Sequence, residues 1–396
     1  MPKSVMVRTG LQRIADDDGE VLAKLRGRKL GLLAHPASVD RAMRHAAEVL
    51  HGAGCELRAL FGPEHGYGGE AQDMVPVGSV SDVAPQGVVP VYSLYGSREE
   101  DLSPRPEWLE GLDAVVIDLQ DVGSRYYTYV WTAALMLRTA AAAGVETIVL
   151  DRPNPLGCLV VEGAPQRPGY RSFVGLYDVP VRHAMTIGEL CRMVQEEEGL
   201  AEDALHVVSM DGYTRAMAYE QCGVPWVPPS PNMPTLDTAW VYPGGCLLEG
   251  TNLSEGRGTT RPFEILGAPF VDGEGLARAI ASPAVRLRPM SFKPMFQKHG
   301  GQRCTGVQVH VTDPVAVRSY ALYLQIIAAA FAQSPETRFR TEPYEFVSDR
   351  PAIDLLTGGP EFRVLVEQGG DLPGLLADQD RKAREFQQAM EHLYLY

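Results

Sequence analysis

Short apolar runs alternate with helical periodicities over the first two-thirds of the chain. Lys29–Ala34 (KLGLLA), Cys55–Phe61 (CELRALF), Val88–Leu94, Asp113–Leu119 (DAVVIDL), Val145–Leu150 (VETIVL) and Leu205–Ser209 each read as a strand. Helical spacing falls over Arg41–Ala53, over Thr128–Ala143 ahead of Gly144, and over Thr186–Glu198, where Thr186 and Glu189 make a capping-box signature. Gly62–Gly87 is rich in Gly, Pro and Asp and reads as a long loop. Strands apolar on both faces and alternating with helices predict an α/β fold with a doubly wound parallel sheet. Ligands of such sheets sit beyond the carboxyl ends of the strands. Polar clusters fall there: Pro63-Glu64-His65-Gly66, Asp118 to Tyr127, and Asp151 to Asn154.

The last third has a different pattern. Thr251–Pro262 (TNLSEGRGTTRP) is polar and glycine-bearing, Gly306–Thr312 alternates as a strand, and Arg318–Ala332 and Asp378–Leu393 read as helices. The chain therefore divides, in expectation, into a doubly wound domain over 1–245 and a smaller α+β domain over 246–396.

Composition narrows the chemistry. The 396 residues include 40 glycines and 30 prolines, above the roughly 12% usual for the pair, which signals many shaped loops. The net charge of −14 repels phosphate backbones, so no nucleic-acid partner is expected. The six cysteines (55, 158, 191, 222, 246, 304) form no CxxC pair and read as free buried thiols. The first 20 residues hold no apolar run of signal-peptide length, and no stretch approaches the ~20 apolar residues of a membrane span. A soluble cytoplasmic protein without a membrane partner is expected.

Cofactor signatures are missing. The first strand runs into His35-Pro36-Ala37-Ser38 rather than GxGxxG, and there is no GxxxxGK[ST], HExxH, GxSxG or SxxK. His35, His65, His183 and His310 have no ligand spacing, so neither metal nor nucleotide is expected.

What is left is carboxylates at loop ends. Glu64, beside His65 at a cleft edge, can be partly desolvated, which suits a general acid; it can equally cap a turn. DLQDVGSRYYTYVW gathers Asp118, Gln120, Asp121, Arg125, Tyr126 and Tyr127, a set that fits sugar hydroxyls and C–H faces, or an Asp–Arg pair that ties the loop to the sheet. Asp151, Arg152 and Asn154 form a rigid loop that orients a ligand or locks itself by an Asp151–Arg152 pair, and Glu162 is a weaker candidate of the same sort. Glu255 lies among Asn252, Arg257, Thr259, Thr260 and Arg261; a carboxylate among cations stays ionised, and two arginines can grip a substrate carboxylate. An interdomain salt-bridge cluster is the alternative.

The stretches LFGPEHGYGGE, PVYSLYG, DLQDVGSRYYTY, LDRPNPLG, RHAMTIGEL, PWVPPSPNMPTLDTAWVYPGGCLLEGTNLSEGRGTTRPFE and CTGVQVHVTD, in this order, resemble the exo-β-N-acetylmuramidase NamZ family, glycoside hydrolase family 171. The resemblance runs from about residue 28 to the C-terminus. It implies a Rossmann-like N-terminal domain without nucleotide, a smaller C-terminal domain and a site in the cleft between them. It implies release of N-acetylmuramic acid from the non-reducing ends of peptidoglycan fragments, with Glu64 and Glu255 as the catalytic carboxylates. The other polar residues of these motifs become expected saccharide contacts: His65, Asp118, Gln120, Arg125, Tyr126, Tyr127, Asn154, Asn232, Asn252, Arg257, Thr259, Thr260 and Arg261. Many members of that family are exported, and the first strand here ends in AHPAS where they often carry a Thr/Asn-rich turn. A non-catalytic muropeptide-binding protein on the same fold is the competing reading, and a stem-peptide peptidase or amidase a third, for which neither metal nor nucleophile is evident.

Overall fold

The structure, a computed structural model, describes residues 6–72, 75–84 and 87–396. Its first layer is a seven-stranded sheet. The strands are β1 (Lys29–Ala34), β2 (Glu56–Gly62), β3 (Val80–Ala84), β4 (Gly87–Ser93), β5 (Ala114–Asp118), β6 (Glu146–Leu150) and β7 (Leu205–Val208), in the order β3-β4-β2-β1-β5-β6-β7. Every pairing is parallel except β3 with β4. Helices Ala46–Gly52, Tyr129–Ala142 and Ile187–Glu197 make three of the crossovers. The last opens on the expected capping box, with Thr186 and Glu189 satisfying each other's backbone N–H.

Successive residues of a strand point to opposite faces, and the core divides accordingly. Leu30, Leu32, Val116 and Ile148 pack on one side with Leu50. Leu33, Phe61, Ile117 and Val149 pack on the other with Trp131 and Leu137. This second cluster continues without a break into Leu266, Val307, Tyr323 and Ile326 of the last third. There a small antiparallel sheet, β8 (Ile265–Ala268), β9 (Val285–Phe292) and β10 (Cys304–Val311), runs in the order β8-β10-β9. Helix Ser319–Gln333 lies against helix Leu236–Gly245. Gly244 permits that approach, because a Cβ there would run into the Ser319 backbone.

The parallel strands and main crossover helices fall where the hydrophobic pattern placed them, with ends shifted by a residue or two. The helix expected over 41–53 starts late, at Ala46, and the terminal helix starts early, at Leu372. The loop expected over 62–87 contains β3, and residues 73–74 and 85–86 of it lie outside the described residues. All six cysteines are free and buried. Among the described residues no helix is long and apolar enough to cross a membrane.

The strand order, but not the strand direction, reverses between β1 and β5, where a nucleotide would lie in a dinucleotide-binding fold. Here side chains fill the crevice. Arg152 grips Asp118 through both oxygens, Nε–Oδ1 at 2.5 Å and Nη2–Oδ2 at 2.7 Å, and also donates to the Val39 carbonyl. His35, fully buried, accepts the Gln120 N–H at 2.9 Å. Burial lowers the His35 imidazole well below its ordinary value, so the ring is neutral. The expected Asp–Arg locks therefore form with other partners. Among the described residues Arg125 pairs with no carboxylate and instead donates to the carbonyls of Ala164, Val179 and Leu356. Asp151 caps the Thr186 helix, accepting from Thr186 Oγ1 at 2.7 Å and Gly188 N at 2.9 Å, and burial pushes its carboxyl up to about 6.

Breaking a buried pair strands one charge. Asp118→Ala should therefore cost about 3–5 kcal/mol in denaturant unfolding, and Asp118→Leu with Arg152→Leu should recover much of it. An exposed or dispensable pair would give a single-variant cost below about 1 kcal/mol.

Candidate active site

The chain turns sharply after β2. A Cβ on Gly62 would meet the Tyr67 backbone, so the Pro63–Gly66 turn folds directly over the strand end. This projects Glu64 into a small cavity while leaving it 6% exposed. Thr128, just before helix Tyr129–Ala142, donates to Glu64 Oε2 at 2.6 Å. The Tyr129 hydroxyl reaches the Glu64 carbonyl at 3.3 Å and the Pro229 carbonyl at 2.6 Å.

The cavity is lined from both halves of the sequence. Tyr127, Tyr129, Tyr242 and Phe263 make an edge-to-face aromatic wall, with centroid distances of 4.7 Å (127–129), 5.8 Å (127–242) and 4.9 Å (242–263). Burial holds the hydroxyls of Tyr126, Tyr127 and Tyr129 above their ordinary range, so they are neutral donors. Arg257, Glu249 and Glu345 supply the remaining charge. Arg257 Nη1 lies 2.8 Å from Glu249 Oε1 and 3.3 Å from Glu255 Oε1, and its guanidinium sits 4.9 Å over the Phe263 ring. Glu249 Oε2 accepts the Tyr344 hydroxyl at 2.6 Å. Glu255 Oε2 takes the Lys298 ammonium at 3.0 Å. Burial opposes ionisation of Glu255, but Lys298 and Arg257 prevail and hold its carboxyl down to about 2.

Of the residues expected at the site, Glu64, His65, Tyr126, Tyr127, Asn232 and Arg257 line this cavity. The others lie outside the lining. Glu255 stands behind Arg257, its carboxylate oxygens engaged by Arg257 and Lys298. Asp118, at the end of β5, and Gln120, Arg125 and Asn154, in the segments beyond β5 and β6, are buried; Gln120 donates to the Asp121 and Pro153 carbonyls, and Asn154 to the Met185 carbonyl. Asn252 ties its loop to Glu336 and Arg338, Thr259 closes a turn on Gly256, and Thr260 is exposed. Arg261 points away, toward Glu264 at 3.4 Å and Asp237 at 3.7 Å. The expected pair of arginines for a substrate carboxylate is thus Arg257 alone.

The sequence reading missed Glu249 and Glu345. Glu249 had a signal, a single carboxylate inside the apolar run Cys246-Leu247-Leu248-Glu249-Gly250, since an acidic residue is seldom buried without a partner. Three of the nine described non-glycine residues with positive φ also line the cavity: His65 (71°), Phe263 (63°) and Glu345 (45°). Such conformations cost of order 1–3 kcal/mol each and concentrate at functional sites. The enclosed space is about 30 Å³, room for water and far below the ~300 Å³ or more of a typical small-molecule site. A saccharide must widen it. Among the described residues no group of three or more His, Cys, Asp or Glu is placed to hold a metal ion.

Comparison with known proteins agrees over the whole fold. Residues 30–237 match the family profile described as exo-beta-N-acetylmuramidase NamZ, N-terminal, and residues 240–396 its C-terminal counterpart. The chain is 39% identical over 398 residues to the peptidoglycan beta-N-acetylmuramidase NamZ of Bacillus subtilis (strain 168), covering 100% of this chain and 92% of that one. Two crystal structures of DUF1343 family proteins from Bacteroides fragilis NCTC 9343 share the fold. One superposes with a TM-score of 0.85 at 32% identity over 99% of each chain. The other gives 0.75 at 25% identity over 98% of this chain and 99% of its own.

The Glu255 anchor makes a pH prediction. Its folded carboxyl is held down to about 2, against an ordinary glutamate value of 4.5. Its contribution is therefore complete above pH 4.5, declines as pH falls, and is gone below about 2. At ~1.4 kcal/mol per pH unit it reaches about 3 kcal/mol. Glu255→Gln should lower the unfolding free energy at pH 6, and the gap to the unaltered protein should narrow by pH 3. A gap independent of pH over that interval would show that Glu255 is not the titrating anchor.

Proposed function

Because the chain belongs to the exo-β-N-acetylmuramidase NamZ family, we propose that it is a glycosidase releasing N-acetylmuramic acid from the non-reducing ends of peptidoglycan fragments. The observation that carries the reading is Glu64: a buried carboxyl held by Thr128 at a strand end, sharing one tyrosine-walled cavity with Glu249 and Arg257. Glycoside hydrolysis needs two carboxyl groups, one giving a proton to the leaving oxygen and one ionised to assist water or attack the sugar. In the proposal Glu64 is the acid. Thr128 occupies Oε2 and leaves Oε1 for the glycosidic oxygen. Glu249 is the second carboxyl within the cavity, positioned by Arg257 and by the Tyr344 hydroxyl that it accepts. Glu255, expected as the second catalytic carboxylate, acts here through Arg257, whose guanidinium it fixes from behind. Arg257 then meets the lactyl carboxylate that distinguishes muramic acid from glucosamine, and the Tyr127, Tyr129 and Tyr242 rings meet the sugar's C–H faces. Asn232, bonded to Gln72 at 3.1 Å, is the amide in the lining that would meet ring substituents. Recycling of wall fragments in the cytoplasm is part of the same proposal; six unpaired buried thiols suit a reducing compartment.

A chromogenic β-N-acetylmuramide should be hydrolysed and the matching β-N-acetylglucosaminide spared. Equal rates on both would remove the carboxylate-recognition argument, and turnover of neither would overturn the glycosidase reading. Glu64→Gln should lower turnover ~10²–10⁴-fold on substrates with poor leaving groups and far less on nitrophenyl substrates, which barely need protonation. Glu249→Gln should lower both alike. The opposite pattern would exchange the two roles.

A further inference from the structure

Another cavity, of about 340 Å³, lies between the loop at 297–299 and the segment 338–342. In a chain of net charge −14 its walls carry Lys298, Arg338 and Arg340, with His299 beside them and Glu342 as the lining carboxylate. Phe339 gives it an apolar floor. Its cations are held in place but not all used. Lys298 Nζ is fixed by the Leu248 and Leu253 carbonyls at 2.7 and 3.2 Å and by Glu255. Arg340 donates through Nη2 to the Pro343 carbonyl, but its buried Nε has no hydrogen-bond partner, and Glu342 stands 3.9 Å from it. Arg338 engages Asn252 through its backbone N–H, and its guanidinium makes no ion pair among the described residues. Gln297 and His299 both adopt positive φ, 62° and 57°, so strained backbone presents Lys298 and the imidazole to this space. The lining thus sets three cations against one carboxylate, Glu342, which ion-pairs with Arg340 Nε at 3.9 Å while that Nε makes no hydrogen bond.

We propose that this cavity is a binding site for an oxyanion, a carboxylate or phosphate group, held by Arg340 and Arg338 with Lys298 as the rear charge. Guanidinium groups match both anions bidentately. Two contacts connect the site to the acidic cavity. Lys298 reaches Glu255, which holds Arg257. The Arg340 guanidinium stacks 5.3 Å over the ring of Tyr344, whose hydroxyl holds Glu249. The anion has two natural sources, a carboxylate borne by a peptide on a wall fragment or a free oxyanion such as phosphate. The site itself does not depend on the proposed hydrolysis, because its test reads binding without turnover.

The test is calorimetric titration of the full chain at fixed ionic strength, balanced with sodium chloride. One arm uses inorganic phosphate and the other an N-acetylated dipeptide with a free C-terminal carboxylate. Saturable 1:1 binding in at least one arm is expected, with the dissociation constant raised tenfold or more in Arg338→Gln and Arg340→Gln and unchanged in Arg381→Gln, a remote surface variant. Binding of the peptide alone assigns the site to a substrate-borne carboxylate, and binding of phosphate assigns it to a free oxyanion. Arg338 is exposed, so its variant keeps the test valid if Arg340→Gln does not fold. No saturable binding in either arm, or binding that neither variant weakens, overturns the proposal.

Discussion

Arg257 is shared between two buried carboxylates, and much of the site's geometry follows from that. An isolated charge taken out of water is costly, and a buried charge is tolerated only when opposite charges and hydrogen bonds surround it. Glu249, Arg257, Glu255 and Lys298 meet this demand as a line of alternating sign, with spacings of 2.8, 3.3 and 3.0 Å. Each member orients the next. Removing any one leaves a neighbour uncompensated, so the line behaves as a unit. Its far end is tied to backbone through the Leu248 and Leu253 carbonyls on Lys298. Its near end is tied to Tyr344. Phe263, held at φ 63° under the guanidinium, fixes the middle.

Glu64 is held by a separate support. Its turn hangs from β2, and its carboxyl is bonded to Thr128 ahead of the helix that follows β5. The doubly wound sheet thus positions one carboxyl and the last third of the chain positions the other. The continuous apolar cluster from Leu33 to Ile327 joins these supports. Close-packed interiors transmit displacement rather than absorb it, so the distance between the two carboxyls is set by packing far from either.

The elements were legible because their causes are local. Five-residue runs such as Ala114–Asp118 are buried on both faces, and the Thr186–Glu189 capping box is complete within four residues. Glu64 was legible for the same reason, as a carboxyl at the end of an apolar strand. The role of a charge was less so, because it depends on which distant groups fold against it. DLQDVGSRYYTY offered a saccharide-binding set, yet its Asp118 is satisfied by Arg152, 34 residues on, and its Arg125 by carbonyls up to 231 residues away. The cluster around Glu255 was correctly seen as carboxylate among cations. What the sequence hid was that Lys298, 43 residues later, would draw Glu255 behind Arg257, and that Tyr344, 95 residues after Glu249, would hold that residue in the cavity. A pattern within one loop cannot rank two carboxylates six residues apart when their partners lie elsewhere.

Charge illustrates the same separation of scales. The net charge of −14 argues against a polyanionic partner, because such partners respond to the summed field of a surface. Salt screens that field beyond about 8–10 Å. A small anion arriving at a cavity therefore meets mainly the few groups that line it. Arg257, in low dielectric and 5% exposed, outweighs many surface carboxylates at that range, because charges interact more strongly where water is excluded. An acidic protein can for this reason act on an acidic sugar. In the proposed function it does so by contact with a buried guanidinium rather than by long-range attraction, and selectivity for a lactyl carboxylate then depends on how firmly Glu249 and Glu255 fix the direction in which Arg257 points.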